Sequence, residues 1–110
     1  DLTLKLDSNT HKGTTYIVVE SIYSMDGDAA PLTEICKLAK KHQAYVIVDE
    51  AHSTGIYAHG KGLCVALQLQ DQIFARVHTF GKAMGVHGAL VCGSGALQSF
   101  LINFSRPFIY

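Results

Sequence analysis

Apolar residues recur along this chain in two rhythms, one of strands and one of helices, and their order predicts an α/β fold. Thr15-Tyr16-Ile17-Val18-Val19-Glu20 is dense in β-branched residues and predicts a buried strand. Turn residues follow at Ser24-Met25-Asp26-Gly27-Asp28. Pro31 then opens a helix carried by Leu32, Ile35, Leu38 and Ala39, with lysines opposite, that runs to about His42. Ala44 to Asp49 predicts a second strand and completes a strand–helix–strand unit. Ser53 to Gly62 reads as loop, punctuated by Gly55, Gly60 and Gly62.

Further along, Ile73 to Phe80 predicts a third strand and Ala89 to Cys92 a short fourth, with a flexible Gly85-Val86-His87-Gly88 turn between them. Leu97 to Phe104 predicts an amphipathic helix. Residues 1–12 form a charged, alternating stretch, and Phe108-Ile109-Tyr110 ends the chain as an apolar run resembling a strand without a partner. The expected architecture is a mostly parallel sheet with flanking helices. Glu20, Asp49 and the Thr79–Lys82 loop all arrive at strand ends, where sheets of this class bind ligands.

Composition narrows the class without choosing a chemistry. A chain of 110 residues is one domain at most, and its pattern suggests a segment of something longer. Nine basic and nine acidic residues cancel, so no net field favours nucleic acid or an anionic membrane. No apolar run approaches the roughly 20 residues that span a bilayer, and the first residues lack a signal-peptide layout. Cys36, Cys64 and Cys92 are widely spread with no C-x-x-C spacing, which fits buried thiols in a reducing cytoplasm.

Val46-Ile47-Val48-Asp49-Glu50-Ala51-His52 carries the most chemistry, because an apolar strand ends there in two carboxylates and an imidazole. Such a strand can hold magnesium in an ATPase. That use needs a G-x-x-x-x-G-K-[ST] phosphate loop before it, and Gly81-Lys82 fails: Arg76 stands where the first glycine is needed, Ala83 follows the lysine, and the order is reversed. Metal ligation fares no better, since His52 and His59 are separated by glycine-containing loop and no cysteine pairs with histidine at ligand spacing; no metal is expected. Pyridoxal 5'-phosphate (PLP) accounts for more residues together. Its ring nitrogen needs a facing carboxylate, which Asp49 can supply, and its aldehyde needs an amine, which Lys82 can supply. Thr79, three residues before Lys82, is placed to meet a phosphate oxygen. Each residue also has a purely structural use, such as a surface lysine, a turn hydroxyl or a loop-capping imidazole.

Three stretches in collinear order resemble the α-oxoamine synthase family of fold-type-I PLP enzymes. They are Glu20-Ser21-Ile22-Tyr23-Ser24-Met25-Asp26-Gly27-Asp28-Ala29-Ala30-Pro31-Leu32, Val48-Asp49-Glu50-Ala51-His52-Ser53-Thr54-Gly55 and Thr79-Phe80-Gly81-Lys82-Ala83-Met84-Gly85. The resemblance implies that Lys82 is the Schiff-base lysine and later the base for the Cα proton, making it catalytic. It implies that His52 contacts the phenolic oxygen of the ring and serves catalysis with Lys82. Asp49 would pair with the pyridinium nitrogen, Ser24 would lie near the oxygen side of the cofactor, and Thr79 would touch the phosphate.

Further stretches, His78-Thr79-Phe80-Gly81-Lys82, Val86-His87-Gly88-Ala89 and Arg106-Pro107-Phe108-Ile109-Tyr110, resemble the branch that condenses L-alanine with a pimeloyl thioester. Sister activities on glycine or serine with other acyl donors stay open, as does a degenerate, non-catalytic α/β binding module. The resemblance also implies a homodimer acting on small molecules, with residues 1–110 the central part of its PLP-binding large domain. Glu50 points away from Asp49 by strand alternation and falls outside this set.

Overall fold

The structure, a computed structural model, describes residues 1–109. Four strands form one sheet in the order β1 (Tyr16–Glu20), β2 (Tyr45–Asp49), β3 (Ala75–Thr79) and β4 (Ala89–Gly93). The first three are parallel, whereas β4 pairs antiparallel with β3, which the Phe80–Gly88 loop permits by closing on itself. In that loop Phe80 N–H donates to the Gly88 carbonyl (2.9 Å) and Val86 N–H to the Phe80 carbonyl (3.0 Å). The expected α/β, mostly parallel sheet with helices is therefore present.

Helix α2 (Leu32–Lys41) begins after Pro31 and buries Leu32, Ile35, Cys36 and Ala39 against Ile17, Val46 and Val48. In β1 and β2 burial alternates: Ile17, Val46 and Val48 face the core, while Tyr16, Val18 and Tyr45 are exposed; in β3 Ala75 and His78, on opposite faces, are both buried. One face of the sheet is thus covered and the other is open within these residues. Register fixes which side chains share the open face, since parallel partners project together. Glu20 pairs with Asp49 and Asp49 with Val77, so Asp49 and Thr79 project to the open face, while Glu50 turns to the covered one.

Several elements differ from the sequence expectation. Residues 1–12 contain a helix, α1 (Leu2–Asp7), that sends Leu6 into the core and leaves Leu4 exposed. A short helix α3 (Leu63–Ala66) and a 3-10 turn (Gln70–Gln72) follow the glycine loop. The fourth helix, α4 (Gly95–Phe104), starts before Leu97 because Ser94 caps it, its Oγ accepting from Leu97 N–H at 3.2 Å. It is less one-sided than expected, with Phe100, Ile102 and Phe104 exposed and no residue buried. The closing run read as a strand is instead the short helix α5 (Arg106–Ile109); Tyr110 lies outside the described residues.

Candidate active site

The carboxyl ends of β2 and β3 bring together residues from both halves of the chain. As an ammonium, Lys82 can only donate, so its Nζ donates to His52 Nε2 at 2.9 Å and the imidazole keeps its proton on Nδ1. Asp49 is half-buried at the end of β2, where its Oδ1 accepts from Ala51 N–H (2.8 Å). Among the described residues its Oδ2 has no hydrogen-bond partner, which leaves one acceptor free. Thr79 is half-buried at the end of β3, three residues before Lys82. Ser24 lies in the exposed turn after β1 and makes no hydrogen bond to Lys82, His52, Asp49 or Thr79.

Loop chemistry sets the approach of Lys82. Gly81 has open space around the position of a Cβ, and Gly85 adopts φ +64° as the chain turns back. On the opposite side Gly55, at φ +84°, lies so close that an added Cβ would stand 3.1 Å from the Ala83 Cβ. The loop following His52 therefore packs directly on the loop carrying Lys82.

Beneath the site lies a buried polar cluster that the sequence does not announce. Glu50 is fully buried on the covered face. Its Oε2 accepts from Ser53 Oγ (2.8 Å) and from Cys64 N–H at the start of α3 (3.1 Å). Ser53 Oγ in turn accepts from Ser21 Oγ (2.9 Å), which ties in the end of β1. Glu50 Oε1 faces Arg76 Nη1 at 3.6 Å, a mostly buried ion pair. Gly62 makes room for this carboxylate, because a Cβ there would stand 2.7 Å from the Glu50 carboxyl carbon.

The same cluster decides the state of His78. Thr54 Oγ1 lies 2.7 Å from the Glu50 carbonyl, to which it can only donate, so His78 Nδ1 donates to Thr54 Oγ1 at 2.8 Å. His78 Nε2 then faces Glu50 Oε1 at 3.9 Å, too long for a hydrogen bond. Burial holds the His78 pKa below its ordinary value and Arg76 adds to this, outweighing the upward pull of Glu50. Burial, reinforced by the Glu50 charge, pushes the Cys64 thiol well above its ordinary range. The signal that could have revealed the cluster is alternation itself. A carboxylate placed on the core face after Val46 and Val48 requires a partner, and Arg76 pairs with Val48 in register.

The fold and this site define a class. The chain belongs to the aminotransferase class I and II family, whose profile matches residues 1–110. Within it, the chain is similar to 8-amino-7-oxononanoate synthases, being 44% identical over 100 residues to that of Emericella nidulans, with 86% of this chain and 24% of that protein covered. The enzyme of that name from Lysinibacillus sphaericus is 40% identical over 111 residues, covering 100% of this chain and 28% of that protein.

Among solved structures, a serine palmitoyltransferase from S. paucimobilis with a bound PLP–myriocin aldimine matches at TM-score 0.88 and 38% identity, over 98% of this chain and 27% of that one. An 8-amino-7-oxononanoate synthase from Francisella tularensis matches at TM-score 0.80 and 31% identity, over 100% of this chain and 32% of that one. These matches bear out the resemblance carried by the three motifs. The chain spans between 24% and 32% of the length of these relatives. Among the described residues no helix is long and apolar enough to cross a membrane.

Proposed function

We propose that residues 1–110 are the central part of the PLP-binding large domain of an acyltransferase that condenses L-alanine with a pimeloyl thioester to give 8-amino-7-oxononanoate, a step of biotin biosynthesis. The observation that carries this reading is the 2.9 Å contact between Lys82 and His52 at the strand edge that also ends in Asp49. The donor set fits PLP, with one amine for its aldehyde, one free carboxylate oxygen for its ring nitrogen, and an imidazole beside the amine. When bound, PLP supplies the electron sink that makes the amino acid Cα–H acidic.

Lys82 would hold PLP through its amine and, once displaced by the amino acid, take the Cα proton onto Nζ. His52 keeps that amine in place and would hydrogen-bond the phenolic oxygen. Asp49 would offer Oδ2 to the protonated ring nitrogen and so preserve its charge. Thr79 would donate its hydroxyl to a phosphate oxygen, and Ser24 would border the oxygen side of the ring. In the net reaction a C–C bond forms between alanine Cα and the thioester carbonyl carbon, the thiol leaves, and the alanine carboxylate departs as carbon dioxide. The whole protein would act as a homodimer in the cytoplasm.

Sequence similarity to the 8-amino-7-oxononanoate synthases supports alanine and the pimeloyl donor. A second reading, a sister enzyme using serine or glycine with another acyl-CoA, draws on the serine palmitoyltransferase match, whose TM-score of 0.88 exceeds the 0.80 of the synthase from Francisella tularensis. Borohydride treatment of the full-length protein with PLP, followed by digestion, should place the pyridoxyl group on Lys82. A label elsewhere removes the central assignment, and no label together with an unaffected Lys82→Ala variant supports a non-catalytic binding module. Turnover of alanine with pimeloyl thioesters, compared with serine and palmitoyl thioester, decides between the two enzymatic readings.

A further inference from the structure

Glu50 stands between Asp49 and His52 in sequence, yet its side chain never reaches their face of the sheet. Its backbone N–H donates to the Val77 carbonyl (2.7 Å), and its carbonyl accepts from Ser53 N–H (3.0 Å) and Thr54 N–H (2.8 Å). The turn bearing His52 is thus fastened to β3 at its start and wound around the Glu50 carbonyl at its end. The carboxylate adds a second fastening, through Ser53 Oγ (2.8 Å) and Cys64 N–H (3.1 Å). Arg76 at 3.6 Å, and Thr54 through His78, connect the same cluster to β3, which leads through Thr79 to Lys82. Ser53 and Glu50, which flank the Ala51-His52 pair, are both fully buried.

We propose that Glu50 is a positioning residue that acts through His52: its buried carboxylate, held by Ser53, Cys64 N–H and Arg76, locks the Asp49–Ser53 turn so that His52 Nε2 stays against Lys82 Nζ. This inference rests on the functional reading above for its kinetic consequence, and on geometry alone for the placement of His52. Substituting glutamine keeps the shape but removes the charge facing Arg76, which loosens the turn without emptying the space.

The test uses the full-length protein with histidine labelled in nitrogen-15. Without PLP, His52 in the wild type should show a single Nδ1-protonated tautomer, and Glu50→Gln should give tautomer-averaged shifts. With PLP, Glu50→Gln should lower kcat about 10- to 100-fold with little change in KM for the amino acid, since misplacing a catalytic group costs rate. On a His52→Asn background it should cost less than 2-fold more. Ser53→Ala, which removes one fastening and leaves the ion pair with Arg76, is carried in parallel in case Glu50→Gln does not fold, with the same spectral change expected.

An unchanged His52 tautomer in a folded Glu50→Gln or Ser53→Ala protein overturns the proposal. A full multiplicative loss on the His52→Asn background overturns it too, because it assigns Glu50 a structural role independent of His52. If His52→Asn itself leaves kcat unchanged, the functional reading fails while the tautomer measurement still decides the positioning.

Discussion

Gly62→Ala tests the buried cluster at its most sensitive point. Gly62 holds φ +96° and ψ 171°, a region open almost only to glycine, and a side chain forced there costs about 1–3 kcal/mol. The added methyl would also meet the Glu50 carboxylate and push it from Cys64 N–H or Ser53 Oγ. Losing one hydrogen bond to a buried carboxylate adds roughly 1.5–3 kcal/mol. The expected total is roughly 2.5–6 kcal/mol, a large share of the stability of a domain. Urea unfolding of the full-length protein should therefore show a clearly lower midpoint at unchanged slope. Gly13→Ala is the control, since nothing lies within 4 Å of a Cβ there. In a Glu50→Ala background, Gly62→Ala should cost only its backbone strain. A midpoint indistinguishable from that of Gly13→Ala would refute the claim that Gly62 exists to admit the carboxylate.

Other perturbations reach the site from different sides. If Lys82 has the role proposed above, Lys82→Ala should abolish borohydride labelling and lower turnover by roughly 10²–10⁴-fold, the usual scale for losing a catalytic base; retained turnover in single-turnover assays would exclude Lys82 from proton transfer. Gly55→Ala combines φ +84° with a 3.1 Å approach to Ala83, so it should displace the Lys82 loop and reduce kcat by about 10²-fold, against a modest loss in thermal midpoint. His78 has its pKa lowered from 6.5 in the folded state, so the unfolded chain takes up the proton first on acidification. Its contribution is fully present above 6.5 and declines as pH falls below that value; a His78→Gln variant should lose this part of the acid slope in urea titrations. Cys64, raised from 9.0, gives the opposite sign, with stability retained below 9.0 and lost as pH rises beyond it, and its thiol should resist aromatic disulfide reagents until unfolding exposes it.

The strands and α2 were legible because each follows one period over enough residues, as Leu32, Ile35, Cys36 and Ala39 do. Helix α1 was not, because Leu2, Leu4 and Leu6 also alternate, and only tertiary packing shows that Leu6 enters the core while Leu4 stays outside. At four residues, α3 is too short to imprint a period and depends on the Glu50 carboxylate at its first turn. The antiparallel entry of β4 turns on the closure of a glycine-flanked loop, which residue pattern alone leaves undecided. The juxtaposition of His52 and Lys82 could be expected from motifs thirty residues apart. Alternation placed Glu50 on the other face correctly, but could not say that a buried carboxylate there gathers Ser53, Cys64 N–H and Arg76.

The loop between His52 and α3 is closed at its base: Thr54 bridges to Lys61, and Gly55 N–H donates to the Gly60 carbonyl at 3.0 Å. Ile56 and Tyr57, though exposed, are tied to that base by their N–H groups donating to the Ser53 carbonyl (3.2 Å each), and only Ala58 and His59, both at positive φ, form the outer tip. Changes of length confined to the outer turn, between Tyr57 and Gly60, are therefore decoupled from the imidazole below. Evolution or an engineer can lengthen that tip, or graft a new segment onto it, while His52 keeps its footing.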